Sequence, residues 1–225
     1  MTTGLSIVVP VLNEGAILED MLRALAALRE RGAEVIVADG GSTDASRAHA
    51  TRLAERVLSA PRGRGRQMNA GAAAAHGEVL LFLHADTQLP ADADRLIRDA
   101  MARGAVWGRF DVCIVGRSWL LRVVAALMNA RSRWTGVATG DQGIFVRREV
   151  FERLGGFADQ PLMEDIELSK RLRAVGPPAC LRARVRTSGR RWEARGVWRT
   201  VFLMWRLRWR YWRGESPQSL AEAYR

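Results

Sequence analysis

Cysteine is scarce: the 225 residues hold two, Cys113 and Cys180, and neither has a CxxC partner. Paired-cysteine zinc sites and thioredoxin-like chemistry are thereby excluded, and reduced thiols in a cytosolic setting fit best. Long apolar runs are missing as well. The first, Leu5 to Leu12, contains Pro10 and follows no basic segment. It reads as neither a signal peptide nor a membrane span. Trp119 to Met128 is apolar and helical in spacing, but too short to cross a bilayer. There is no internal repeat and no low-complexity linker. Lysine is nearly absent, so almost all the positive charge sits on arginine. Basic residues exceed acidic ones by 35 − 24 = 11. Such an excess points to an anionic partner: nucleic acid, an acidic membrane surface or a phosphorylated substrate. Guanidinium groups fork onto phosphate oxygens. A coding bias toward Arg, Ala and Gly explains the excess equally well, so charge alone decides no function.

What is present suits a packed globule, with 48% of residues hydrophobic. The length allows one α/β domain and little for a second. Ser6 to Leu12 reads as a buried strand. Glu14 to Arg31 follows as a helix with Ile17, Met21, Leu25 and Leu28 on one face, ended by Gly32. Glu34 to Asp39 is a second strand, leading into the turn Gly40 to Asp44 and a helix to about Ala54. Arg56 to Ser59 is a short third strand. Arg66 to His76 is Ala-rich and helical, and Glu78 to Leu83 is a fourth strand. Short apolar runs alternating with helices imply a mostly parallel sheet covered on both faces.

The polar clusters fall just after strand C-termini, where open α/β sheets bind ligands. Asn13-Glu14, Asp39 to Asp44, and His84 to Thr87 line one edge. A single Asp after a strand usually caps a helix or turn. Three such clusters on one edge ask for another explanation.

Val8-Val-Pro-Val-Leu-Asn-Glu14, Ala38-Asp-Gly-Gly-Ser-Thr-Asp44, His84-Ala-Asp86 and Glu164-Asp165 together resemble glycosyltransferase family 2. The resemblance runs from about Ser6 to Leu172. Any one motif is weak; their order and spacing carry the signal. It implies a GT-A (Rossmann-like) α/β fold, a nucleotide-diphosphate sugar donor and an acceptor hydroxyl that the sequence leaves unknown. In such proteins Pro10, Asn13, Glu14 and Gly41 lie at the nucleotide edge, and Asp39 reads the base. Arg62 to Gly71 resembles the segment over the donor, with Asn69 within it and Arg64 or Arg66 set to pair with the diphosphate.

The family's metal motif is Asp-x-Asp. Here it reads His84-Ala85-Asp86, so the first carboxylate is missing. The resemblance implies that Asp86 binds Mg²⁺ or Mn²⁺ joined to the diphosphate. His84 has three readings: contact with the ribose, contact with the ion, or packing. Gly140, Asp141 and Gln142 resemble the acceptor-side segment, and the Asp of Glu164-Asp165 matches the catalytic base. An acceptor hydroxyl is a poor nucleophile until a carboxylate takes its proton. Two acidic residues opening a helix also favour its dipole. Arg190, Arg191 and Trp192 are expected on the acceptor side, with Arg190 or Arg191 meeting the donor phosphates or an anionic acceptor; they resemble the Arg-Trp motif of processive members without its usual Gln-x-x-Arg-Trp form, so polymer synthesis is not expected. The subset that the sequence most resembles is the short bacterial transferases found near radical-enzyme and selenium-related proteins.

We divide the chain into a GT-A domain, 1–195, and a C-terminal amphipathic helix with its tail, 196–225. Val197 to Arg213 repeats Trp198, Val201, Phe202, Trp205, Trp209 and Trp212 beside a stripe of Arg199, Arg206, Arg210 and Arg213. Two readings stand: a helix lying on an anionic membrane at the inner face of the cell membrane, or one packing its aromatics onto the domain. Two rival functions are a nucleotidyltransferase on a related fold and a basic nucleic-acid-binding module. The first lacks a Gly-rich, Lys-ending phosphate loop. The second leaves unexplained why acidic clusters stand at successive strand ends.

Overall fold

The computed structural model describes residues 4–224. Eight strands are formed: β1 (Leu5–Val11), β2 (Glu34–Asp39), β3 (Arg56–Ser59), β4 (Val79–Phe82), β5 (Thr87–Gln88), β6 (Trp107–Val115), β7 (Ile144–Arg147) and β8 (Ala179–Ser188). The helices are α1 (Gly15–Ala24), α2 (Ala26–Glu30), α3 (Ser46–Leu53), α4 (Arg64–Ala73), α5 (Ala93–Ala102), α6 (Leu120–Thr135), α7 (Arg148–Arg153), α8 (Glu164–Val175), α9 (Arg190–Arg195), α10 (Val197–Trp212) and α11 (Pro217–Tyr224). The strands make one sheet in the order β3-β2-β1-β4-β7-β6-β8-β5. Strands β1 to β4 pair in parallel, as the apolar runs predict. The far half is mixed: β7 runs antiparallel to β4 and β6, and β5 runs antiparallel to β8.

Alternation along β1 explains why its whole length is apolar. Ile7, Val9 and Val11 enter the core on one face with Leu18 and Leu22. Val8 enters the other with Met68, Ala72 and Phe82. Helix α4 lies very close to that second face. A Cβ on Gly71 would stand 2.3 Å from Val8 Cγ1, so only glycine permits the approach.

The β1–β4 ladder ends at Val8 and Phe82, with the Leu83 amide donating to Val8 O. Pro10 has no N–H with which to continue it. The strands part there, while β1 stays paired with β2 as far as Val11 and Asp39. This is the switch point of the sheet, where a crevice opens.

Several element bounds differ from the sequence reading. The helix expected over 14–31 breaks at Leu25, whose amide bonds back to Leu22 O at 3.1 Å. Helix α4 starts two residues earlier than expected and stops at Ala73. The apolar stretch at 119–128 extends to Thr135, where Gly136 at φ 66° caps it.

Helix α10 resolves the choice between its two faces. Leu203, Met204, Leu207 and Tyr211 pack with Met163, Ile166 and Leu220. Trp198, Phe202, Trp205, Trp209 and Trp212 face outward and are 58% to 76% exposed. The reading in which these aromatics pack on the domain is therefore wrong. Leu203, Met204, Leu207 and Tyr211 on the opposite side make that contact.

Candidate functional site

The β1 and β2 loops are laced into one platform. Asn13, at φ 55°, accepts the Thr43 amide on its Oδ1 at 2.8 Å. The Asn13 and Glu14 amides donate to Ser42 and Ser46 hydroxyls, both at 2.9 Å. Asp44 accepts the Gly15 and Ser46 amides, also at 2.9 Å. Asp39 is buried and accepts the Ser42 amide at 3.1 Å, so it shapes the loop carrying Gly41. Gln67, which the sequence reading did not single out, clips the platform from α4. Its Nε2 donates to Val11 O and Ala38 O, at 2.7 and 2.9 Å.

A second group gathers after β4. His84 Nδ1 stands 3.2 Å from Asp141 Oδ1. The ring lies against Gly140, where a Cβ would fall 2.5 Å from Nε2. Burial would raise the Asp141 carboxyl, but His84, Arg64 and Arg191 outweigh it and hold it below the ordinary Asp value. Asp165, at the start of α8, accepts the Gly140 amide on Oδ2 at 2.8 Å and its neighbour Ile166's amide on Oδ1 at 2.7 Å. Met163 precedes this pair at φ 66°, a conformation costly for a residue with a side chain. Glu164 is buried 3.3 Å from Arg64 Nη1. Burial pushes Glu164 above its ordinary value. Burial pulls Arg64 down, yet Glu164, Asp165 and Asp141 leave it raised overall.

Helix α9 joins the two groups. Arg191 Nη2 stands 3.9 Å from Glu14 Oε1 and also acts on Asp141 through space. Glu14 is raised, first by burial and in part by Asp86, while Arg191 and Arg190 oppose the shift. Asp86 thus lies near Glu14 and shares a groove with Arg190. It borders an open groove lined by Ile17, Met21, Arg186, Ser188 and Arg190.

Some expected residues lie elsewhere. Arg66 forks onto Asp159 at 2.6 and 2.8 Å on the exterior, because a partner carboxylate is close and solvent-exposed. Asn69 brackets the Phe157 backbone, accepting and donating at 2.8 Å. Gln142 is buried against Thr139 and Asn129. Trp192 is half-buried against the core. Pro10 lies inside β1 and acts on its pairing.

Two arginines close to Asp165 escaped the sequence reading: Arg131 on α6 and Arg208 on α10. Burial, with Arg208 beside it, lowers Arg131 to about 10. Burial also lowers Arg208, against Asp165 and Asp141. Neither belongs to a motif, and only packing brings their helices together.

Among the described residues no three His, Cys, Asp or Glu side chains gather as metal ligands. A divalent ion at Asp86 would draw its remaining oxygens from water and phosphate. That donor set suits Mg²⁺ or Mn²⁺.

Comparison with known proteins adds to this geometry. The family model described as glycosyl transferase family 2 matches residues 6–155, ending short of Glu164. The probable glycosyltransferase YdaM of Bacillus subtilis is 28% identical over 76% of this chain and 47% of its own length. The succinoglycan biosynthesis protein ExoA of Rhizobium meliloti is 32% identical over 78% of this chain and 59% of its own. The chain thus spans about half the length of these curated relatives. A solved mannosyltransferase from Pyrobaculum calidifontis, in complex with GDP-Man and Mn²⁺, shares the fold. Its TM-score is 0.66 at 22% identity, over 98% of this chain and 68% of that one.

Proposed function

The chain belongs to glycosyl transferase family 2, and from that premise we propose that it moves a sugar from a nucleotide-diphosphate donor to an acceptor hydroxyl with inversion. The observation that supports this most is that Asp165 is held on Gly140 beside the His84–Asp141 pair after β4, while Arg191 spans Asp141 and Glu14, the residue after β1. In this reading Asp39, Asn13, Glu14 and Gly41 hold the nucleoside. The mannosyltransferase relative was solved with GDP-Man, which makes a nucleotide-diphosphate sugar the natural donor class. Asp86 would hold Mg²⁺ or Mn²⁺ together with the donor's diphosphate. When bound, the ion neutralises charge on the leaving diphosphate. Arg190 shares a groove with Asp86 and Arg191 stands on Glu14, so both can complement the same charge.

Asp165 takes the acceptor proton. Two backbone amides fix its carboxylate and leave each oxygen a free lone pair. Asp141 and Glu164 are the neighbouring carboxyls, and His84 and Arg64 already engage them. Among the described residues no other uncommitted carboxylate stands beside Asp165 to serve as a nucleophile, which favours direct displacement over a covalent intermediate. Arg64 keeps Glu164 oriented beside Asp165. We further propose that 196–225 extends the same unit, and that the outward Trp face of α10 rests on an anionic membrane surface. No helix among the described residues is long and apolar enough to cross a membrane.

The test is a screen of nucleotide sugars for metal-dependent release of nucleoside diphosphate, followed by NMR of the product's anomeric centre. Inverted configuration is expected. Retained configuration would sink the mechanism.

A further inference from the structure

Arg131 and Arg208 are unusual as a pair. Both are half-buried, on helices α6 and α10, which pack against each other. Arg131 Nε and Nη2 are buried without any hydrogen-bond partner among the described residues. Arg208 makes no hydrogen bond or ion pair among them either, though its own nitrogens are not fully enclosed. Buried guanidinium donors are nearly always satisfied, so an exception asks what satisfies them. Arg208 also works against the charge on Arg131, in a setting where burial already penalises it. A protein gains no stability from holding two unpaired arginines together in this way.

Their place in the fold is definite. Leu207 is fully buried against Met163 and Ile166, the residues flanking Glu164 and Asp165. Arg208 therefore comes down beside the start of α8, and Asp165 acts through space on both arginines. The other charged groups nearby are already matched. Arg64 faces Glu164, His84 faces Asp141, and Arg109 is paired with Asp111 behind them. Arg131 and Arg208 remain, and Asp165 is the carboxylate that acts on both.

We propose that Arg131 and Arg208 form an anion subsite for the acceptor, so that the acceptor carries a phosphate group close to its reacting hydroxyl. This rests on the reading that Asp165 activates that hydroxyl. A phosphate ester brings a charge between about −1 and −2 and several acceptor oxygens. Two guanidinium forks answer both, and Arg is the residue suited to planar, bidentate contact with phosphate. A neutral sugar acceptor would leave the pair unsatisfied. The phosphate can belong to a soluble ester or to a lipid headgroup. Helices α6 and α10 both present exposed aromatic and aliphatic side chains outward, including Trp134 at 92% and Trp209 at 58%, which makes a headgroup reachable.

The experiment is calorimetric titration of inorganic phosphate into the full chain in chelator, so that no metal-held diphosphate site contributes. Wild type and Asp86→Ala should bind alike. Arg131→Gln and Arg208→Gln should each weaken phosphate by about tenfold, the loss of one charge-assisted contact. Both variants should melt at or above the wild-type temperature, because an unsatisfied like-charge pair has been relieved. Unchanged phosphate affinity in both variants overturns the proposal, as does a loss that appears in Asp86→Ala instead. Two further arms separate the sources: sn-glycerol 1-phosphate in solution, and phosphatidylcholine vesicles with and without phosphatidylglycerol. Arginine-dependent binding of the ester in solution assigns a soluble acceptor. Arginine-dependent binding confined to phosphatidylglycerol vesicles assigns a headgroup. No turnover is required, so failure here is distinct from failure of metal-dependent nucleotide binding, which would remove the transferase reading itself.

Discussion

Asp165 has both oxygens bonded to backbone amides, and that fixes what a substitution there should do. Asp165→Asn keeps the size but loses basicity, and one of its atoms becomes a donor facing an amide. Turnover should fall by roughly a hundredfold or more, with donor affinity little changed. Steady-state rates with calorimetric donor binding check this; near-normal turnover would remove Asp165 from the role. A second residue-scale expectation concerns pH. The fork from Arg31, Nε to Oδ2 at 2.9 Å and Nη2 to Oδ1 at 2.8 Å, holds the buried Asp94 below its ordinary 3.8. A lowered carboxyl stabilises the fold above its unfolded value and loses that contribution as pH falls through the folded one. The melting gap between wild type and Arg31→Gln should be full at pH 7 and shrink as pH drops below 3.8. An equal gap at both extremes would contradict the linkage. The sequence showed the motif carboxylates but not their partners. Nothing in His84-Ala-Asp86 or Gly140-Asp-Gln foretells that His84 turns to Asp141, because that pairing depends on a 57-residue separation closed only by the sheet.

Helix α10 makes the sharpest prediction among the elements. Its period is plain in the sequence, yet which stripe packs inward is not, since both Trp and Leu faces are apolar. The bulkier stripe faces out. Replacing Trp205 and Trp209 with Ala should therefore leave the melting temperature nearly unchanged. It should reduce binding to anionic vesicles, and that binding should weaken with added salt. Leu207→Ala should instead cost about 2–5 kcal/mol, as for a fully buried leucine. If the Trp pair destabilises as much as Leu207, the helix has been read the wrong way round. The same limit of one-dimensional pattern explains Leu25. Its apolar spacing continues the helix, but a local turn bond ends α1 there.

At the scale of the molecule, β1 to β4 were legible because each is a short apolar run bounded by turn residues. The far half of the sheet was harder. The antiparallel placement of β7 between β4 and β6 is long-range, and β6 and β8 carry arginines and aspartate that mask their period. The polar clusters at the strand ends were legible through Asn13, Asp39 and Asp86. The arginine pair beside Asp165 was not, since it forms only when α6 and α10 pack.

The central claim is that this edge binds a nucleotide diphosphate through a divalent ion at Asp86. Calorimetry of uridine and guanosine diphosphate, with Mn²⁺ and then with chelator, tests it directly. At least one nucleotide should bind with Mn²⁺, lose that affinity in chelator, and lose it again in Asp86→Ala while the fold melts as before. Undiminished metal-dependent affinity in Asp86→Ala, or binding indifferent to the metal, would contradict the account.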